Sequence, residues 1–586
     1  MPLCGSGTAL ARHAARLRAA EPCEPGPRML FPMYTVPLED VFQMSSVEPY
    51  ETLTSRGVLV EFQKEMGKAI FVSHQWATKE HPDPSFRQFA VFQEAMRRIL
   101  TELSTIPVSW LTEMSLPFKP LPTKDFRSVN LFVWYDFFSC PQLKTHGNQQ
   151  TRAISSIHAY VATCSFFFAL CPFIQEPSGG VLDAASWRTR GWCRSERTMR
   201  ELSGGSWILV QSATQIELAW TNIVTDGLTG QGHFAVAEDK ARLGPVLAAA
   251  LRRKMIRALR DLDFVTFRCE RNLQSVHLKG LDVDPEPYLI PGEGAHASPT
   301  TDFLHQNGFR QINEVDSGGF MPVHYAALNG DPKLMKSLLE DRADFTKRTR
   351  KSQALLGSGP GVSALALCSF FGHNQAANQL ISAKANVREG GMTPALSNAA
   401  LGSNIKGVHI LCDLGADLEK TNTFGQSALR FGCAVDSAAV VEELLSRSGR
   451  KTPVDLSKLL HAAAVSIMGG AQVTRRLIEL KADLNEQYQV PGYSVEHTVL
   501  KLQSVRYRLG IVTNATRLLH HYPGATPLML AILAANYQTA WILITEGAWL
   551  NLRNSRGFSA KDLADMTGVP DVILEALNGE AVYQRL

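Results

Sequence analysis

Two hydrophobic rhythms divide the chain. From about Met33 to Gln211, continuous apolar runs alternate with stretches of helical periodicity. The runs Ala69 to Ser73, Leu131 to Tyr135, Ser165 to Leu170 and Trp207 to Gln211 do not alternate apolar with polar, as expected of strands buried on both faces. Between them, Phe89, Phe92, Met96, Ile99 and Leu103 fall on one helical stripe, and Ile154, Ile157 and Val161 on another. Strands joined by helices in this order predict a parallel sheet with right-handed crossovers, whose ligands sit at the carboxyl ends of the strands. Polar residues gather at those ends: Ser73, His74, Gln75 and Trp76 after the first run, and Asp136 to Gln142 after the second. Arg190, Gly191, Trp192, Cys193 and Glu196 open a helix before the last.

The second rhythm is a repeat. "GFMPVHYAALNGDPKLMKSLLEDRADF" from Gly319 returns in altered form from Gly361, Gly391, Gly425, Leu459, Gly524 and Gly557. Ala416, Ala482 and Ala548 each close a second helix and stand 66 residues apart, twice a ~33-residue period. All but the Leu459 phrase begin at a glycine turn. A short helix rich in small residues follows (Ala326, Ala327, Ala399, Ala400, Ala462, Ala463), then a longer one with aliphatic spacing such as Leu334, Leu338 and Leu339. One unit cannot bury its apolar face alone, so the units stack. This phrase, returning seven times in one internal order, resembles ankyrin repeats over residues 301–580, with insertions near 348–360 and 488–523. The resemblance implies an all-α solenoid that binds a protein partner.

The first part has its own resemblance. "GWCRSE" is similar to the W-C-x-x-E helix start of TIR domains. "SHQW" with "VWYDFFSCPQ" resembles the S-Y-x-W and W-I-D-x-x-C-x-x-Q signatures of HET domains. Chains that join such a domain to ankyrin repeats are familiar in protists. The resemblance implies a flavodoxin-like α/β fold for residues 33–215, which either self-associates for signalling or cleaves the nicotinamide bond of NAD. In the second case Glu196 is the catalytic carboxylate, and Ser73, Gln75, Trp76, Asp136 and Trp192 hold NAD as substrate. A carboxylate beside a ribose stabilises the oxocarbenium charge that such cleavage develops. The competing reading gives Glu196 a capping or dipole role at its helix start, paired with Arg194, Arg197 or Arg200. His81-Pro82-Asp83-Pro84 stands where many active TIR domains carry an acidic, glycine-rich loop.

Before Met33, residues 1–32 read as a disordered tail, whose arginines and lack of acid before Glu21 also resemble a transit peptide. Residues 216–280 read as a helical extension in which Leu243 to Leu262 packs an apolar stripe on the first domain. Residues 281–300, rich in proline and glycine, read as a linker. Composition narrows the function further. At 586 residues, 45% hydrophobic, 19% charged and a formal charge of +4, the chain has no electrostatic call on nucleic acid. The ten cysteines lack C-x-x-C spacing, which predicts reduced thiols, no metal site and a cytoplasmic protein. His74, His81 and Asp83 match no standard metal spacing. The longest apolar run, Tyr160 to Ile174, is broken by Thr163, Ser165 and Pro172 and falls short of the ~20 residues of a membrane span. The reading is therefore a signalling adaptor that needs no cofactor, with an NAD-cleaving enzyme regulated by its repeats as the alternative.

Overall fold

The computed structural model describes residues 7–579 apart from 21–25, 116–118, 144–147, 177–179, 220–226, 287–288, 291–297, 358, 391–393, 449–453, 467, 491 and 493. Parts of the expected tail, of the linker and of both insertions therefore lie outside the described residues.

The N-terminal sheet runs β7-β6-β5-β3-β4-β1-β2. Its strands are β1 (Tyr34–Pro37), β2 (Val60–Glu61), β3 (Lys68–Ser73), β4 (Leu131–Trp134), β5 (Phe166–Leu170), β6 (Trp207–Val210) and β7 (Ile216–Ala219). The central four, β6-β5-β3-β4, are parallel, with Ile70 opposite both Val133 and Phe166. They are the four apolar runs of the sequence. Their alternation sends Ile70, Val72, Phe166 and Phe168 to one face and Phe71, Trp134, Phe167 and Trp207 to the other, and all are buried.

The sheet departs from the expected parallel form at both edges. β1 pairs antiparallel with β4, β2 with β1, and β7 with β6. β7 lies inside 216–280, so the domain extends beyond residue 215. These edge strands are two to four residues long, too short for a period of two to stand out.

Helix α1 (Ala9–Ala19) forms within the segment expected to be disordered. Thr8 caps it by accepting from the Ala11 amide at 3.2 Å, and Leu10 and Ala14 are buried while the arginines face outward. Helix α2 (Arg87–Thr101) covers one sheet face through Phe89, Phe92, Met96 and Ile99. Helices α3 (Gln149–Thr163), α4 (Gly191–Leu202) and α5 (Ala237–Arg260) cover the other. The stripe Leu243, Leu247, Leu251, Met255 and Leu259 of α5 is buried, as its spacing predicts. Helix α6 (Phe264–Asn272) leads on to the repeats, where Arg268 donates to Asp316 at 3.0 Å.

Seven helix pairs follow among the described residues, from Pro322–Asn329 with Pro332–Glu340 to Ala560–Thr567 with Asp571–Leu577. The glycines that open the phrases have a physical reason. Gly319, Gly361, Gly425, Gly524 and Gly557 take φ between 68° and 83°, a region that costs other residues strain. Ser363, Ser427, Thr526 and Ser559 then cap the first helix of their pairs. Asn404 and Asn536 cap second helices and also donate to the first helix of the preceding pair, at Ser369 and Ala463, tying these two units to their neighbours. The 488–523 insertion is a helical hairpin, Val495–Arg508 and Asn514–His521. Its ends are closed by the Tyr488 amide on the Ala525 carbonyl and the Gly524 amide on the Tyr488 carbonyl. Among the described residues, no helix is long and apolar enough to cross a membrane.

Candidate functional site

Strand β3 ends at Ser73, and the chain beyond it supplies His74, Gln75 and Trp76. Alternation continues through this end. Ser73 turns with Phe71 toward α4, and His74 turns with Val72 toward the α2 side. Ser73 Oγ donates to Glu196 Oε2 at 2.6 Å and accepts from Trp187 Nε1 at 3.1 Å. Trp187, on the helix Ala184–Thr189, is fully buried and stacks on Trp207. Cys193, three residues before Glu196 and on the same face of α4, donates its thiol to the His74 carbonyl at 3.6 Å. The strand end and the helix start are thus joined by a chain of hydrogen bonds through Ser73.

Asp136 follows β4 and organises the neighbouring part. His74 Nε2 lies 3.2 Å from Asp136 Oδ1, and Trp76 Nε1 donates to Oδ2 at 2.8 Å. The His74 ring stacks on Tyr135 at 3.8 Å. Gln75 Nε2 donates to the carbonyl of Asp183, the N-cap of the helix that carries Trp187, at 3.0 Å. Of the six residues expected at the site, Ser73 and Glu196 are in direct contact, as are Trp76 and Asp136, and Gln75 braces the same strand end. Trp192 is elsewhere. Although it sits four residues before Glu196 on α4, its side chain reaches away to donate Nε1 to Asp239 Oδ2 of α5 at 2.9 Å and lies 6.0 Å from the His158 ring.

The two carboxyls are driven apart electrostatically. Burial pushes Glu196 up to about 8, the charge of Asp136 adds to this, and Ser73 and Arg190 only partly offset it. Burial also pushes Asp136 up, but His74, together with hydrogen bonds from Trp76 and the Phe137 amide, outweighs it and holds this carboxyl below its ordinary range. At neutral pH the site therefore holds one ionised carboxylate and one largely protonated carboxylic acid. The arginines offered as partners for Glu196 bond elsewhere: Arg194 to the Arg188 and Leu228 carbonyls, Arg197 to Gly227 and Glu201, Arg200 to Cys164, Ser165 and Ser206.

Trp187 is the member that sequence reasoning missed, while His74, placed at this strand end by the sequence, was not assigned its role beside Asp136. His81 and Asp83 keep loop-forming roles. The Asp83 amide donates to His81 Nδ1 at 3.0 Å, and Asp83 Oδ2 accepts from the Phe89 amide at 2.8 Å. Among the described residues, no group of three or more His, Cys, Asp or Glu side chains is placed to hold a metal ion. Burial raises the Cys193 thiol and lowers His158 to about 4, so the two do not form a thiolate–imidazolium pair.

The repeat array offers a different kind of site. Phe424 and Trp549 stand exposed on the loops between pairs, Phe424 with its amide on Asn422 Oδ1 and Trp549 with its amide on Asn485 Oδ1. Residues 324–422 match the ankyrin-repeat family model in three copies. No curated protein matches the chain. Among solved structures, the chain is similar to the crystal structure of the human ASB11 ankyrin repeat domain at 20% identity. The likeness covers 44% of this chain and 98% of that one, with a TM-score of 0.32. Residues 324–422 are ankyrin repeats.

Proposed function

We propose that this chain is a protein-binding adaptor, in which the repeat array captures a partner and the N-terminal α/β domain serves as a TIR/HET-like assembly module. One observation carries the reading. A stack built from repeated helix pairs presents exposed aromatic side chains, Phe424 and Trp549, on its inter-pair loops. Rigid aromatic rings on a preorganised scaffold contribute much contact area at little entropic cost, which is the behaviour of interface hot spots. Ankyrin repeats support a role in protein–protein interaction. The test is recovery of cross-linked partners by the immobilised full chain and by its Phe424→Ala/Trp549→Ala variant. At least a tenfold drop in recovery is expected. Equal recovery by the variant overturns the reading.

A second reading, NAD cleavage regulated by the repeats, is favoured by the Glu196 carboxyl being bonded by Ser73 and not by an arginine. It requires the ionised form, which the surroundings of Glu196 oppose at neutral pH. NAD consumption by the clustered full chain should then rise with pH toward about 8 and vanish in Glu196→Ala. No consumption by the wild type removes this reading and leaves the adaptor intact.

A further inference from the structure

The first helix of the hairpin inserted at 488–523 keeps most of its aliphatic side chains outside. On this helix, Val495–Arg508, the residues turned inward include Gln503 and Ser504, both buried. Gln503 Nε2 donates to Met114 Sδ at 3.6 Å. Ser504 Oγ shares a hydrogen bond with His520 Nδ1 at 2.8 Å and accepts from Arg556 Nη2 at 3.1 Å. Tyr507 stacks on His520 at 4.4 Å. Leu500 is buried beside Gln503 and Ser504, and the other aliphatic residues lie mostly on the opposite side. Val495, Leu502, Val505 and the C-cap residue Leu509 recur at helical spacing on one exposed face, with Leu502 58% and Leu509 75% exposed, and Val512 is exposed just beyond the turn at Gly510.

Contiguous exposed aliphatic stripes are rare on soluble proteins and mark interaction surfaces. A surface helix normally turns such a stripe to its own core. This one turns inward only Leu500 beside the polar contacts of Gln503 and Ser504 and leaves the stripe outside, so covering the stripe falls to another molecule. The charges beside it name the kind of molecule. Lys501 and Arg508 are exposed along the stripe. Glu496, the single acidic residue between 495 and 512, is turned away to the Tyr488 hydroxyl and toward Arg430. A second copy of the chain would bring the same cations against each other. An anionic lipid surface would meet only two exposed cations, at ~1 kcal/mol each, and a stripe without an aromatic anchor. A helix with acidic flanks satisfies both the apolar seam and the charge.

We propose that the outward face of Val495–Val512 docks an amphipathic helix of a partner protein, its apolar stripe flanked by Asp or Glu. This rests on reading the chain as a protein-binding adaptor, and it adds a second contact surface distinct from Phe424 and Trp549. The test uses the full chain and a defined probe, a hydrocarbon-stapled helical peptide with leucines on one face and glutamates on both flanks. A second peptide carries lysine in place of each glutamate. Fluorescence anisotropy is expected to show binding of the glutamate peptide, weakened at least tenfold by Leu502→Asp/Leu509→Asp. The charge reversal Lys501→Glu/Arg508→Glu is expected to turn the preference toward the lysine peptide. Both pairs of substitutions fall on exposed positions, and unchanged circular dichroism confirms the fold.

Equal binding of both peptides, or of neither, overturns the proposal. So does a concentration-dependent dimer that Leu502→Asp/Leu509→Asp abolishes, which assigns the face to a second copy. Binding to phosphatidylserine vesicles that the same variant loses assigns it to lipid. If Phe424→Ala/Trp549→Ala still abolishes partner recovery while neither peptide binds, the adaptor reading stands and only the helix-docking surface fails.

Discussion

Replacing Glu196 with glutamine isolates the electrostatics of the candidate site. Glutamine keeps an oxygen that accepts from Ser73 Oγ but cannot ionise, so Glu196→Gln preserves the hydrogen-bond chain from Trp187 and removes one titration. The sign of the effect follows from where the proton is held more tightly. Burial raises the Glu196 carboxyl from 4.5 in an ordinary setting to about 8. A carboxyl with a raised folded-state pKa supports the fold while protonated. Its contribution is complete below about 4.5 and is lost as pH rises through about 8. At about 1.4 kcal/mol per pH unit, the gap sets a ceiling of about 5 kcal/mol. Glu196 is only half-buried, so water relieves part of this, and about 1–3 kcal/mol is the expected size.

The assay is thermal unfolding of the full chain and the variant from about pH 5 to about pH 9. The two proteins should unfold together at the acid end. At the basic end Glu196→Gln should be the more stable by about 2–12 °C, taking about 2–4 °C per kcal/mol for a domain of this size. Glu217, raised to about 7 by burial against the pull of Arg188 and Arg517, titrates in the same window in both proteins and cancels in the comparison. A gap that stays constant across the range, or a wild type that is the more stable at the basic end, refutes the account of Glu196 as a carboxyl held protonated by its surroundings.

Two further outcomes test the scaffold. Ser73→Ala removes the middle of the Trp187–Ser73–Glu196 chain and leaves a buried indole N–H without its acceptor. A loss of about 1–3 kcal/mol in denaturant unfolding is expected, and no loss would mean the chain does not stabilise the strand end. Arg268→Met leaves Asp316 buried beside Tyr325 without its guanidinium and should cost about 3–5 kcal/mol. Hydrogen exchange is expected to speed up over Pro322–Asn329, and unchanged protection there would deny Arg268 its role in seating the first repeat.

The four central strands and the repeat array were legible because each leaves a signal longer than one element. A strand buried on both faces shows an unbroken apolar run, and the stack restates its phrase with glycine at most of the turns that open it. The parts that escaped have physical reasons as well. Helix α1 has an apolar stripe made mostly of alanine, which adds little contrast against its arginines. The edge strands are too short to display alternation. The resemblance put Trp192 with Glu196 at one site. The large Trp192 side chain nevertheless reaches Asp239 on α5, an element whose position no local pattern discloses. Trp187 joined the site through a tertiary fold-back that Gln75 and Asp183 hold, which is equally invisible in spacing.

The same limit applies to the surface of the array, and there it bears on function. The turns joining the helices of the first, sixth and seventh pairs are engaged within the chain. Ser275 Oγ donates to the Asn329 carbonyl at 3.0 Å, Gln211 Nε2 to Ala535 at 3.1 Å, and Ser212 Oγ to Gly568 at 3.3 Å. The second insertion helix is clasped as well, with Thr513 Oγ1 and the Ala515 amide on the Glu113 carboxylate and Asn514 Nδ2 on the Val108 carbonyl. A partner that competed for these turns would have to displace the N-terminal domain first. Phe424, Trp549 and the outward face of Val495–Val512 carry no such cost, because each is exposed in the intact chain. Recognition at those surfaces would leave the contacts between the array and the N-terminal domain in place, which the proposed adaptor role requires.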